Sequence, residues 1–73
     1  MTNTVLLEQI IEEKGVKKGK LVKALNTSYG WLKKKINNEK PFTAEEIQII
    51  CEVLGIEDLE LRERIFFAVD VGK

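Results

Sequence analysis

Seventy-three residues make a single domain, residues 1–73, with little to spare, because a chain of this mass buries only about 60% of the surface its unfolded form exposes; a separate catalytic domain is excluded. With 44% hydrophobic and 33% charged residues the composition suits a packed core, while one cysteine and no histidine exclude an internal disulfide and a zinc site. The formal net charge is zero, which taken over the whole chain argues against a polyanionic partner.

Residues from about Thr4 to Lys14 read as a first helix, with Leu7, Ile10 and Ile11 on adjacent turns and room on the same stripe for Leu6 and Lys14. Gly15 stands where a left-handed stop is wanted. A second helix begins near Lys17 or Lys18 and ends at Leu25, its apolar face made by Leu21, Val22 and Leu25. Asn26 tolerates the left-handed backbone of a sharp turn, and Ser28 is placed to cap a third helix running to about Asn37 on the anchors Leu32 and Ile36. Asn38 suits another left-handed stop, and Pro41 prevents continuation through Lys40.

Thr43-Ala44-Glu45-Glu46 has the form of a capping box, in which the hydroxyl takes the Glu46 amide proton and the carboxylate reaches back. It opens a fourth helix on Ile47, Ile50, Cys51 and Leu54, closed by Gly55, in which Cys51 reads as a small core residue and not as a reactive thiol. Glu57 and Asp58 can cap a fifth helix carrying Leu59, Leu61, Ile65, Phe66 and Phe67, more apolar than one buried face requires. Val69 and Val71 extend that ending as a short strand or irregular tail. Residues 66–73 are therefore the candidate dimerisation segment, through Phe66, Phe67, Val69 and Val71.

The zero net charge conceals a strong asymmetry. Residues 14–40 hold nine lysines against one acid, a balance of +8, whereas residues 1–13 carry −3 and residues 41–73 carry −5. Such a chain can turn a basic face to DNA and an acidic face away. The same stretch holds two short helices joined by a tight turn, an arrangement that lets the second project side chains into a groove. On that helix Tyr29, Lys33 and Lys34 share an exposed flank. Gly30 costs about 1 kcal/mol relative to Ala in a helix, and close approach of a DNA backbone or base would use it. Two placements are open for Trp31, packing on the first helix or flanking a phosphate; its size in so small a core favours partial burial.

The run Leu21-Val22-Lys23-Ala24-Leu25-Asn26-Thr27-Ser28, then Leu32 to Thr43 through Asn37-Asn38-Glu39-Lys40-Pro41-Phe42, then Glu46-Ile47 to Leu54-Gly55-Ile56, resembles the Cro and cI-type phage repressor family over about residues 6 to 67. The resemblance implies an all-α, lambda-repressor-like fold of five helices with a helix-turn-helix at helices two and three. It also implies a homodimer on a short double-stranded DNA palindrome and transcriptional control of phage or mobile-element genes. Matched residue by residue, it places Lys18, next to Lys17, where the family often has a Gln touching backbone or base. Ser28, Tyr29 and Gly30 fall at the first exposed recognition positions, Lys34 at a later base-reading one, and Asn37 and Lys40 at phosphate-clamping ones. The chain departs from the family pattern at Lys18, at Val22 in place of a small Ala, at Asn26 in place of Gly and at Thr27 in place of Val or Ile. Lysine at most of the contact positions implies phosphate attraction with modest base selectivity, since a single ammonium reads guanine less selectively than a bidentate Arg.

A competing reading is a protein-interaction module on the same scaffold, an antirepressor or antitoxin subunit whose lysines meet an acidic partner. An enzyme is not expected: no His, no paired nucleophile and base, and no Gly-rich phosphate loop are present. No cofactor and no small-molecule substrate are expected either. No apolar run reaches the roughly 18 residues of a membrane span, and Met1-Thr2-Asn3-Thr4 lacks a basic signal-peptide start. A membrane partner is not expected, and a bacterial or phage-infected cytoplasm fits best.

Overall fold

Five helices follow one another in the computed structural model, which describes residues 1–69: α1 (Thr4–Lys14), α2 (Lys18–Leu25), α3 (Tyr29–Ile36), α4 (Ala44–Leu54) and α5 (Leu59–Phe66). No strand occurs among the described residues, and no helix among them is long and apolar enough to cross a membrane. Val71 lies outside the described residues.

The helix ends are set by local chemistry. Asn3, Ser28 and Asp58 each accept a backbone N–H of the first turn through the side chain, and Thr43 with Glu46 forms the complete capping box. Four helices close in the same way. At the end of α1 the Gly15 amide donates to the Glu12 carbonyl and the Val16 amide to the Ile11 carbonyl; α2 repeats the pair with Asn26 to Lys23 and Thr27 to Val22. In α3 the bonds run from Asn38 to Lys35 and Glu39 to Lys34, and in α4 from Gly55 to Glu52 and Ile56 to Cys51. The turning residue is left-handed each time, with φ 67° at Gly15, 54° at Asn26, 66° at Asn38 and 70° at Gly55. Asparagine tolerates this conformation better than other side chains because its short amide hydrogen-bonds locally.

α4 lies at the centre. α1 and α2 pack against it, α3 packs on α2, and α5 packs on α1. Leu7, Leu21, Leu32, Ile36, Ile50 and Ile65 are fully buried, and each such side chain contributes about 1.5–3 kcal/mol through removal from water. Cys51 joins this core; burial pushes its thiol pKa up, with Arg62 pulling weakly the other way.

The apolar ending divides. Phe66 is 4% exposed and meets Phe42 edge to face with ring centroids 5.6 Å apart. It belongs to the core, so its assignment to an exposed dimer patch is corrected. Phe67 and Val69 are exposed, as are Leu59 and Met1. Lys14 also leaves the core stripe and is exposed in the last turn of α1, where its charge complements the helix dipole.

The first residues do more than precede α1. Thr2, only 5% exposed, is gripped by the Asn38 side chain: its amide donates to Oδ1 at 2.8 Å and its carbonyl accepts from Nδ2 at 2.8 Å. The Thr4 hydroxyl donates to the Ile36 carbonyl at 2.6 Å. On the other side the Asn3 amide donates to the Ile65 carbonyl, and the Ala68 amide to the Met1 carbonyl. The segment thus ties the end of α3 to the end of α5. Asn38→Gly keeps the left-handed turn and removes both bonds to Thr2, and an expected loss of about 1–2 kcal/mol follows. Urea unfolding checks it; unchanged stability would show the two bonds to be fully replaced by water.

Candidate nucleic-acid interface

With 3.6 residues per turn, α3 places Leu32 and Ile36 on one side and Gly30, Lys33, Lys34 and Asn37 on the other. Leu32 and Ile36 are each 1% exposed and fix the helix on the body, whereas the four opposite residues are exposed. Tyr29 borders that outer face on one edge and Trp31 on the other, 54% and 40% exposed. Ser28 starts the helix, its Oγ accepting the Trp31 amide at 3.1 Å.

The lysines divide by partner. Lys35 lies between Leu32 and Trp31 around the helix and is 7% exposed; its Nζ meets both Glu46 carboxylate oxygens, at 2.7 and 2.6 Å. Glu46 also accepts the Thr43 amide at 2.8 Å, so the ion pair and the α4 cap share one carboxylate. Burial raises the Glu46 pKa, but the Lys35 and Thr43 hydrogen bonds and the Lys35 charge outweigh it and leave the group below its ordinary value. Lys35 is therefore a structural group and leaves the basic surface. A clue was present in its helical position three after Leu32, but the partner, eleven residues on, was not legible there.

Lys18 is paired as well, at 2.9 Å from Glu8. The Glu8 hydrogen bond lifts the Lys18 pKa above its ordinary value, against the opposite effect of partial burial. This pair is about one-third exposed, and pairs of that kind contribute only about 0–1 kcal/mol, so a phosphate can compete for the lysine. Of the nine lysines of residues 14–40, the other seven have no acidic partner in ion-pair contact among the described residues.

The sequence-derived candidates fall in three places. Lys18, Tyr29, Lys33 and Asn37 line one small cleft with Glu8. Lys17 stands elsewhere, in a shallow depression with Lys14, Lys20 and Lys23. Lys34 and Lys40 converge on Trp31, with ammonium groups 5.8 and 5.6 Å from the ring centroid, and Lys35 lies 5.6 Å from it. Trp31 is thus surrounded by positive charge. No group of three or more metal-ligating side chains forms among the described residues.

Gly30 has nothing within 4 Å of where a Cβ would stand, so no protein neighbour demands glycine. Gly30→Ala is expected to raise stability by about 0.5–1 kcal/mol through helix propensity and a less flexible unfolded chain. Calorimetry reads this as a higher Tm, and a lower one would mean that the glycine serves the fold.

No family model matches the chain, and no curated protein and no solved structure matches it.

Proposed function

We propose that the chain binds double-stranded DNA as a homodimeric transcriptional regulator of the Cro and cI type, with α3 as the recognition helix in the major groove. The observation that carries this reading is the outer face of α3, where Gly30, Lys33, Lys34 and Asn37 stand exposed on a helix anchored by the buried Leu32 and Ile36. A helix about 10–12 Å across fits a groove about 12 Å wide, so such a face reaches base edges while its borders meet the phosphate walls. The turn at Asn26 and the Ser28 cap supply the sharp entry that a helix-turn-helix requires. Lys17, Lys18, Lys33 and Lys40 supply charge for phosphates, Ser28 and Tyr29 the leading end, and Asn37 a polar contact behind it. Exposed Phe67 and Val69 supply apolar surface for the second copy.

The test is titration of labelled duplex DNA at about 50 mM salt, where phosphate contacts are strong. Binding is expected, and its absence would sink the reading in favour of the acidic-partner module. Within it Lys34 reads the groove and Lys40 the backbone. Lys34→Ala should lower discrimination between a selected site and random duplex by about 1–3 kcal/mol, whereas Lys40→Ala should weaken both alike. Equal behaviour of the two variants would refute that division. Gly30→Ala should bind duplex more weakly even while it folds more stably.

A further inference from the structure

The outer face of α3 is bordered on one side by Trp31, and two ammonium groups from different elements come to that ring: Lys34 from α3 itself and Lys40 from the loop beyond it. Like charges gathered at one point repel, and nothing acidic in ion-pair contact holds either of them among the described residues. The third ammonium at the ring, Lys35, is already neutralised by Glu46 and fixed in place. What remains to collect Lys34 and Lys40 is the negative face of the indole, which attracts ammonium groups within about 6 Å of its centroid.

We infer that Trp31 is a positioning residue for duplex DNA: its indole pre-orders Lys34 and Lys40 at one border of the recognition face, so that Lys40 meets a backbone phosphodiester. The inference rests on the duplex-binding reading above and adds a residue and a role to it. Trp31, the largest apolar side chain of the chain, is 40% exposed and lies outside the buried core. Membership of the core therefore does not explain its place, whereas cation ordering does. A long lysine side chain loses rotamer freedom when it binds a phosphate, and a chain already held over a ring loses less, which raises affinity without any new contact. The partner chemistry is a phosphodiester at the edge of a groove wide enough for α3, as in B-form DNA.

The test compares duplex affinity at low salt for wild type, Trp31→Ala, Trp31→Phe, Lys40→Ala and the double variant Trp31→Ala/Lys40→Ala, with a thermal melt of each. Trp31→Ala is expected to bind about fivefold more weakly and Trp31→Phe to recover most of that loss, since phenylalanine keeps a weaker cation-binding face. In the Lys40→Ala background the loss from Trp31→Ala should shrink below about twofold, because coupled residues are not additive. A purely structural tryptophan would cost the same in both backgrounds, and that result overturns the inference. Trp31 is the one tryptophan of the chain, so its emission should also change when duplex is added to wild type. Normal binding by a folded Trp31→Ala overturns the inference while leaving duplex binding intact; failure of wild type to bind duplex overturns both. If Trp31→Ala fails to fold, Trp31→Phe and the emission change decide: near-wild-type binding by a folded Trp31→Phe with an emission change in wild type supports the role, and weak binding by the folded variant, or an unchanged emission in wild type bound to duplex, overturns it.

Discussion

Raising salt from about 50 to about 200 mM is expected to lower duplex affinity by about 10³–10⁴-fold. The number follows from counterion release: roughly three or four phosphate contacts per subunit, doubled in a dimer, give a log–log slope of about −5 to −7. Seven lysines of residues 14–40 are without acidic partners in ion-pair contact among the described residues, enough to supply those contacts. Lys35 cannot be among them, being occupied by Glu46, and Lys18 takes part only by exchanging Glu8 for a phosphate. The slope measured by anisotropy titration therefore counts contacts directly. A slope shallower than about −2 would mean that the lysines do not track a duplex, and the acidic protein partner becomes the better reading.

Glu46→Ala is expected to cost about 3 kcal/mol, because removing one partner leaves the Lys35 ammonium unpaired in a site where its side chain is only 9% exposed. The same change removes the reciprocal half of the α4 cap. Glu46→Gln retains an acceptor for the Thr43 amide and should lose less, while Lys35→Met with Glu46→Gln should recover most of the loss, since an apolar replacement needs no counter-charge. For a chain of this length, whose whole stability is about 4–11 kcal/mol, the alanine variant is a severe one. Acid should act on the same pair. The folded carboxyl titrates below its ordinary value, so under acid the unfolded chain binds the proton more readily, and the stabilisation present above the unfolded pKa of about 4.3 is lost as pH falls through the folded one. Urea unfolding at neutral and acid pH checks both statements. A Glu46→Ala variant as stable as wild type would show the ion pair to contribute nothing.

The helices were legible because their signals are local. Gly15, Asn26 and Asn38 have the local signal of a left-handed turn and Gly55 that of a helix end, and each has positive φ; Thr43 and Glu46 have the spacing of a capping box, and both of its bonds form. Such motifs close within six residues, where backbone geometry alone decides which side chains meet. The apolar periodicity of α4 was equally clear, since Ile47, Ile50, Cys51 and Leu54 are all buried. The candidate interface was legible only in part. Exposure of Lys33 and Lys34 follows from helical spacing once Leu32 and Ile36 are taken as anchors, whereas Tyr29, three and seven residues before those anchors, shares their side by spacing and its 54% exposure does not follow from it.

What no spacing rule could supply was partner choice across the chain. Lys35 counts as surface charge until Glu46 is brought beside it, and Phe66 counts as an exposed apolar ending until Phe42 meets its ring. Thr2 carries no periodic signal at all, yet Asn38, thirty-six residues away, holds it on both sides. The amino-acid order determined by itself where five helices begin and where the first four end, because caps and left-handed stops are short-range hydrogen-bond chemistry; α5, which has no left-handed stop, ends at Phe66 without such a signal. Only the tertiary packing decided which lysines stay free for a partner, because whether a charge is paired or exposed depends on groups that folding brings together from distant parts of the chain.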